Sequence, residues 1–256
     1  MTILTALPKA DPWSARMKPL SLSEGGRHHA VSGQLLFTAL VIFVLSIGPV
    51  DAWAEDWQVV KTKSGAVVKQ KAVADSAFKV TRGTLTSSAG LFDLLAVLRD
   101  VASCPKWLHK CKFGEVMSSD TVAESLNYTV IDSPLMLKDR DTVVRSRITY
   151  SADPERIFIQ MTGEEAARSL ERKRVRVLDF EGYWLLEKHE TGVVLTYQVF
   201  MDPQVATKGA ANSTLATSVL ETLIGVDRLA KTKPYLNSAV SADRLSAITG
   251  TIALPE

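Results

Sequence analysis

The feature that most constrains this chain is a change of hydrophobic period near residue 203. Between residues 115 and 202, apolar and polar residues alternate, which is typical of half-buried antiparallel strands. Beyond that point, apolar residues recur at helical spacing, at Leu215, Val219, Leu223 and Val226. A sheet with one dry face must bury that face, and a long amphipathic helix can cover it. The order therefore predicts an α+β fold with a curved antiparallel sheet and a long C-terminal helix.

The segment before residue 115 supplies three more strands and two helices. A hairpin with a Ser64-Gly65 turn and a third strand through Phe78 and Val80 are predicted first. "LFDLLAVLRDVA" then has helical spacing, and Pro105 suits the first turn of a second, short helix. For the long last helix, Asn212 is the predicted N-cap and Pro234 the end.

The N-terminal region resembles an export signal. The run "LLFTALVIFVLSI" over residues 35–47 is uncharged, and it is shorter than the about 20 residues of a membrane-spanning helix. It has the size of a signal-peptide core, and "AWA" before Glu55 fits the small-residue rule for cleavage. An uncleaved anchor is the alternative, and Met17 is an alternative start. We predict an exported protein, periplasmic in a Gram-negative cell, that is cleaved between Ala54 and Glu55.

The predicted organisation has three parts. Residues 1–54 form the signal peptide with an N-terminal extension, residues 55–236 form one folded domain, and residues 237–256 form a flexible tail rich in Ser and Ala.

Charge argues against nucleic acid as a partner. The net charge of the chain is only +2, whereas nucleic-acid binding usually needs a clustered basic face. The densest basic run, Arg172 to Arg174 with Arg176, alternates with apolar residues, so we predict that it is the solvated face of a strand.

Several short motifs occur in a family-like order. They are "CPKWL" after the first helix, "DRDTVV" at the start of a strand, "GYWLLEK", and "LTYQVFMDP" before the last helix. In this order and spacing the region 55–236 resembles the START family, the steroidogenic acute regulatory protein-related lipid transfer domains. The resemblance implies a helix-grip fold, in which a curved antiparallel sheet wraps around the C-terminal helix and encloses an apolar cavity.

The resemblance also implies a function and roles for some residues. The expected function is to bind or transfer one lipid without chemistry, as a monomer that contacts a membrane transiently. Pro105 and Trp107 match a Pro-x-Trp motif, and the Arg140-Asp141 pair matches a structural Arg-Asp pair. Sterol-binding members bury a carboxylate and an arginine where this chain has Thr129 or Asn127 and Ser146, which puts a sterol ligand in doubt.

Candidate cavity residues follow from the alternation of the strands and from the helix stripe. The face of residues 126–132 that points inward is left open, because Tyr128 and Val130 can exchange with Thr129 and Ile131. The candidates are Val130, Val144, Ser146, Ile148, Trp184, Tyr197 and Val199 on strands, and Leu215, Val219 and Leu223 on the helix.

The two cysteines are the remaining chemical feature. Cys104 and Cys111 are the only two in the chain, with His109 between them. Zinc needs three or four ligands, and His189 is the only other soft ligand after residue 54, so no metal site is predicted. A disulfide requires that the intervening helix be short, and two separate buried thiols are the equal alternative.

Catalysis is the second functional hypothesis. Relatives of the helix-grip fold include cyclases and hydratases that act on apolar substrates. Such an enzyme would need Asn127, Thr129, Ser146 and Tyr197 to converge on one substrate atom. The chain has no Gly-x-Ser-x-Gly motif, and no catalytic residue or cofactor is predicted.

Overall fold

The computed structural model describes residues 57–119, 121–133 and 137–237. The predicted signal peptide and its cleavage site lie outside the described residues, and so does the predicted tail after residue 237. In the described ranges, no helix combines the length and the apolar character needed to cross a bilayer.

The described strands form one open, almost entirely antiparallel sheet. The order across the sheet is β1-β2-β3-β10-β9-β7-β6-β5-β4, and the short β8 pairs in parallel with β6. The strands are β1 (Gln58–Lys63), β2 (Ala66–Lys71), β3 (Val80–Ser87), β4 (Cys111–Ser118), β5 (Glu124–Ile131), β6 (Asp139–Ala152), β7 (Glu155–Gly163), β8 (Arg174–Arg176), β9 (Leu178–His189) and β10 (Gly192–Asp202). The predicted sheet and its helix-grip architecture are confirmed.

Three α-helices are described, and the last one defines the fold. They are α1 (Leu91–Arg99), α2 (Cys104–Trp107) and α3 (Lys208–Ala230), with 3₁₀ turns at Val101–Ser103 and Glu165–Ala167. Helix α3 packs on β2, β3, α1 and α2. The main hydrophobic core lies at these contacts, and alternate residues of β10 belong to it: Val193, Leu195, Tyr197 and Val199.

Two glycines allow α3 to come close to its neighbours. A Cβ at Gly83 of β3 would lie 2.5 Å from the Leu223 side chain and 2.6 Å from that of Val219. A Cβ at Gly225 of α3 would lie 2.5 Å from the carbonyl oxygen of Trp107 in α2. Both distances are shorter than an ordinary van der Waals contact. The close packing of α3 therefore requires a residue without a side chain at each of these two positions.

The predicted N-cap of the long helix was wrong. The helix begins at Lys208, so Asn212 lies in its second turn and is buried. Its Oδ1 accepts a hydrogen bond from the Lys79 backbone N–H at 2.9 Å, and its Nδ2 donates to the Ala77 carbonyl at 3.1 Å. Asn212 thus attaches the segment before β3 to the helix, a long-range role that local sequence does not reveal.

The prediction that the basic run is the solvated face of a strand was wrong for Arg176. Arg176 is 5% exposed and not solvated. Its Nε donates to Asp141 Oδ1 at 2.9 Å, and its Nη2 donates to Asp141 Oδ2 at 3.1 Å. The parallel pairing of β8 with β6 brings the two residues opposite each other, and sequence alternation does not predict such a pairing.

Gly225→Ala tests the close approach of α3 to α2. Alanine favours a helix by about 1 kcal/mol over glycine, but overpacking a filled contact costs about 1–3 kcal/mol. We therefore expect a lower free energy of unfolding in urea titration. Gly209→Ala on the same helix is the control, because its Cβ would meet nothing within 4 Å. A Gly225→Ala variant that gains as much stability as Gly209→Ala would contradict the packing.

Candidate functional site

A cavity of about 430 Å³ lies between the sheet and the first half of α3. Side chains on six strands and three helices, with the loops between them, form its walls. From the sheet the main contributors are Asn127, Thr129, Ile131, Thr142, Val144, Ser146, Ile148, Ile159, Met161, Trp184, Tyr197 and Met201, and from the helices they are Leu98, Trp107, Ala211, Leu215 and Ser218.

The floor of the cavity is a continuous row across four strands. Ile148 of β6 pairs with Ile159 of β7, which pairs with Trp184 of β9, which pairs with Tyr197 of β10. Because directly opposed residues share a face, all four side chains line the cavity. The antiparallel register therefore makes one apolar surface from residues far apart in sequence.

Two aromatic rings end this row. The rings of Trp184 and Tyr197 stack with centroids 4.1 Å apart and an interplanar angle of 4°. Burial raises the pKa of the Tyr197 hydroxyl, so the phenol is neutral and can donate a hydrogen bond. Tyr197 is 8% exposed, and no described residue accepts a hydrogen bond from its hydroxyl.

A small polar cluster interrupts the apolar lining at β5 and β6. Asn127 Nδ2 donates to Ser125 Oγ at 3.1 Å and to Ser146 Oγ at 3.2 Å. The opposite amide atom, Asn127 Oδ1, is buried without a partner among the described residues. Nearby, the hydroxyls of Thr129 and Thr142 are 2.6 Å apart. The cluster is uncharged and offers one free acceptor to a bound molecule.

The disulfide loop forms another wall. Cys104 and Cys111 are bonded, with their Cα atoms 5.8 Å apart, so the structure has the pair and not two separate thiols. Between them α2 ends at Trp107, which satisfies the condition that the helix be short. Residues 107–110 line the cavity. Burial lowers the pKa of His109, and the positive charge of Lys110 adds to that effect, so His109 is mainly neutral at pH 7.

Charged side chains also line the cavity, and Arg140 is one of them. Arg140 donates through Nε to the Pro203 carbonyl at 3.2 Å and through Nη1 to Ser133 Oγ at 3.1 Å. Asp141 points to the opposite face, towards Arg176. The two residues of the predicted structural pair thus have separate roles. Arg140 holds the loop at Pro203, and Asp141 forms a buried ion pair with Arg176.

Six of the ten candidate residues line the cavity. They are Val144, Ser146, Ile148, Trp184, Tyr197 and Leu215. The other four are buried elsewhere. Val219 and Leu223 pack onto Gly83, and Val199 lies beside Thr81 of β3, in the half of the sheet that α3 covers directly.

Val130 lies on the convex face of the sheet. It packs there with Leu126, Tyr128 and Val143 in a second apolar cluster. The Arg168 guanidinium carbon lies 3.8 Å from the ring centroid of Tyr128, so the segment that carries Arg168 shelters this face. Both faces of β5 are therefore partly shielded from water. This explains why the alternation of apolar and polar residues does not show which face points into the cavity.

Several cavity residues were not predicted from the sequence. Ala211 and Ser218 share a face of α3 with Leu215, but they are small or polar, so the hydrophobic period favoured the stripe of Val219 and Leu223. Met161 and Leu98 also line the cavity. Helix α3 has one row of residues that borders the cavity and another row that packs on the sheet. Only the row that packs on the sheet is strongly apolar.

Comparisons with known proteins agree with this architecture. No family model matches the sequence. An uncharacterised protein of Pseudomonas aeruginosa is 29% identical over 196 residues, which cover 76% of this chain and 96% of that protein. Among solved structures, a STAR-related lipid transfer protein fragment from Xanthomonas axonopodis has a TM-score of 0.64 at 23% identity, covering 69% of this chain and 99% of its own.

Human proteins with this fold are similar at lower identity. Human STARD10 has a TM-score of 0.61 at 17% identity and covers 70% of this chain and 74% of its own. Human StAR-related lipid transfer protein 5 has a TM-score of 0.60 at 16% identity, covering 71% and 88%. The chain therefore has the START-like helix-grip fold, which confirms the resemblance at the level of the fold.

The disulfide generates a stability prediction. Closing a loop of this length removes unfolded-state entropy worth about 2–3 kcal/mol. We expect the double variant Cys104→Ala/Cys111→Ala to lose that much free energy of unfolding, measured by urea titration. A reducing agent should lower the stability of the native sequence similarly and leave the double variant unchanged. Equal stability of all forms would contradict a structural disulfide.

Proposed function

We propose that this protein is an exported lipid carrier that holds one hydrophobic molecule in the cavity between the sheet and α3. The observation that carries the proposal is the cavity itself, about 430 Å³ in volume and lined mainly by apolar side chains. Such a space inside a domain is typical of small-molecule sites. The fold shared with proteins named for lipid transfer supports the same function.

Apolar burial supplies most of the affinity in this proposal. Each Å² of apolar surface removed from water contributes about 25 cal/mol. The polar cluster around Asn127 orients the ligand, because Oδ1 is a buried acceptor whose desolvation is offset when a ligand group donates to it. An uncharged polar group, and not an ion, fits this cluster, since Asn127, Ser125 and Ser146 carry no charge.

The ligand enters in this proposal where α3 begins. Pro203, Val205, Thr207 and Ala210 border the cavity, and the Thr207 side chain makes no capping hydrogen bond to the helix. The loop is held to β6 through the Arg140 bond to Pro203. Loss of that bond would release the loop, and Leu137, 54% exposed at the cavity border, would meet the acyl region of a membrane.

The arrangement of polar groups supports carriage over catalysis. Asn127 and Ser146 bond to each other, Thr129 bonds to Thr142, and the Tyr197 ring stacks on Trp184. The cyclase-like alternative needs these groups aimed at one substrate atom with an acid or a base. Asn127, Ser146, Thr129 and Thr142 pair among themselves instead, and no acid or base lies among these groups.

Export to an oxidising compartment is part of the proposal. The disulfide between Cys104 and Cys111 supports it, because disulfides persist mainly in secreted and periplasmic proteins. We propose cleavage after Ala54 and a periplasmic location in a Gram-negative cell.

Filling the cavity tests the proposal. Ala211 lines the cavity, whereas Ser213, two residues on, is exposed. We expect Ala211→Trp to occupy the ligand space and to reduce lipid uptake by about tenfold or more, since a displaced ligand loses more than about 1.4 kcal/mol. Ser213→Trp on the same helix should leave uptake unchanged.

The measurement uses vesicles of total lipids from a Gram-negative bacterium grown on ¹⁴C-acetate. The label that co-elutes with each variant after separation from the vesicles gives the uptake, and thermal unfolding confirms that both variants are folded. Equal uptake by Ala211→Trp and the native chain would contradict a ligand site in this cavity.

A further inference from the structure

The Tyr197 hydroxyl is a hydrogen-bonding group without a protein partner. The residue is 8% exposed and lines the cavity, and the hydroxyl donates to no described residue. It is not among the fully enclosed unsatisfied atoms of the described residues, so it lies at the cavity surface. Buried polar groups in folded proteins are nearly always paired, and Phe at this position would avoid the desolvation cost.

The position of the ring is fixed by its neighbours. Tyr197 stacks on Trp184 at 4.1 Å, and the two residues are directly opposed in the β9–β10 ladder. On its other side, β10 pairs with β3 at Gly83. A side chain held in this way presents its hydroxyl in a constant place to whatever occupies the cavity.

The surroundings of the hydroxyl favour a neutral partner. Burial alone raises the pKa of Tyr197, with no contribution from a nearby charge. An anionic group at this place would be desolvated without a compensating cation, which is strongly unfavourable. A neutral phenol donates well to a carbonyl oxygen, which tolerates burial once it is hydrogen-bonded.

We propose that Tyr197 donates a hydrogen bond to a carbonyl oxygen in the apolar part of the ligand. The ligand class is then a lipid with an uncharged ester, ketone or amide group, and not a plain hydrocarbon. This inference rests on the proposed function, because it needs a molecule in the cavity.

Two probes of nearly equal shape test the inference. Methyl palmitate carries a carbonyl group, and methyl hexadecyl ether lacks it. Both are delivered from cyclodextrin to the full-length protein, and dissociation constants are obtained by competition with a fluorescent fatty ester. We expect the native chain to bind the ester about tenfold more tightly, because a hydrogen bond in a dry site contributes on that order.

Tyr197→Phe removes only the hydroxyl. We expect it to abolish the preference for the ester and to leave binding of the ether unchanged. Tyr183→Phe is the matched control: Tyr183 precedes Trp184 on β9, its hydroxyl bonds to Gln198 at 3.4 Å, and it does not line the cavity. This control should keep the preference of the native chain.

An infrared spectrum gives a second readout that does not depend on the variant. With ¹³C-labelled methyl palmitate, the carbonyl band of the bound ester should lie at lower frequency than in hexadecane, and it should return to the hexadecane value in Tyr197→Phe. An unshifted band in the native complex would overturn the inference.

The outcomes separate this inference from the proposed function. Equal binding of both probes by the native chain, unaffected by Tyr197→Phe, would overturn the carbonyl contact and leave the lipid carrier standing. No binding of either probe or of total bacterial lipids would overturn both.

Discussion

Packing of α3 onto one half of the sheet is the constraint on which the rest of the structure depends. The helix contacts β2 and β3 at the distance that Gly83 allows, and it contacts α2 where Gly225 has no side chain. A helix held on that side does not fill the concave space over β5, β6 and β7. The cavity is thus a consequence of close packing elsewhere, and a dense core and a binding space coexist in one domain.

The same asymmetry explains the chemistry of the cavity. Its floor is apolar because directly opposed residues of neighbouring antiparallel strands share a face. The cluster at Asn127 and the hydroxyl of Tyr197 are uncharged, and charged side chains, among them Lys110 and Arg140, also line the cavity. Asp141 and Arg176 pair on the convex side, and Glu124, which lines the cavity, pairs with Arg145 at 2.6 Å.

Sequence predicted the parts of this structure that follow local rules. Alternation placed Val144, Ser146 and Ile148 on one face of β6, and the change of period located the last helix. Prediction from sequence failed where long-range contacts determine the role or the orientation of a residue. Asn212 has the chemistry of an N-cap but bonds to the segment before β3, and Val130 faces outward because Arg168 and its neighbours cover the convex face. Likewise, the cavity stripe of Ala211 and Ser218 carries no hydrophobic signal.

The most direct test of the account is the content of the cavity in the native protein. The full-length protein would be expressed and purified from the envelope of a Gram-negative cell, and its organic extract analysed by mass spectrometry against the protein concentration. We expect one class of neutral or weakly polar lipid with a carbonyl group, at close to one molecule per chain. Folded protein that yields no bound lipid, even after incubation with total membrane lipids, would contradict it.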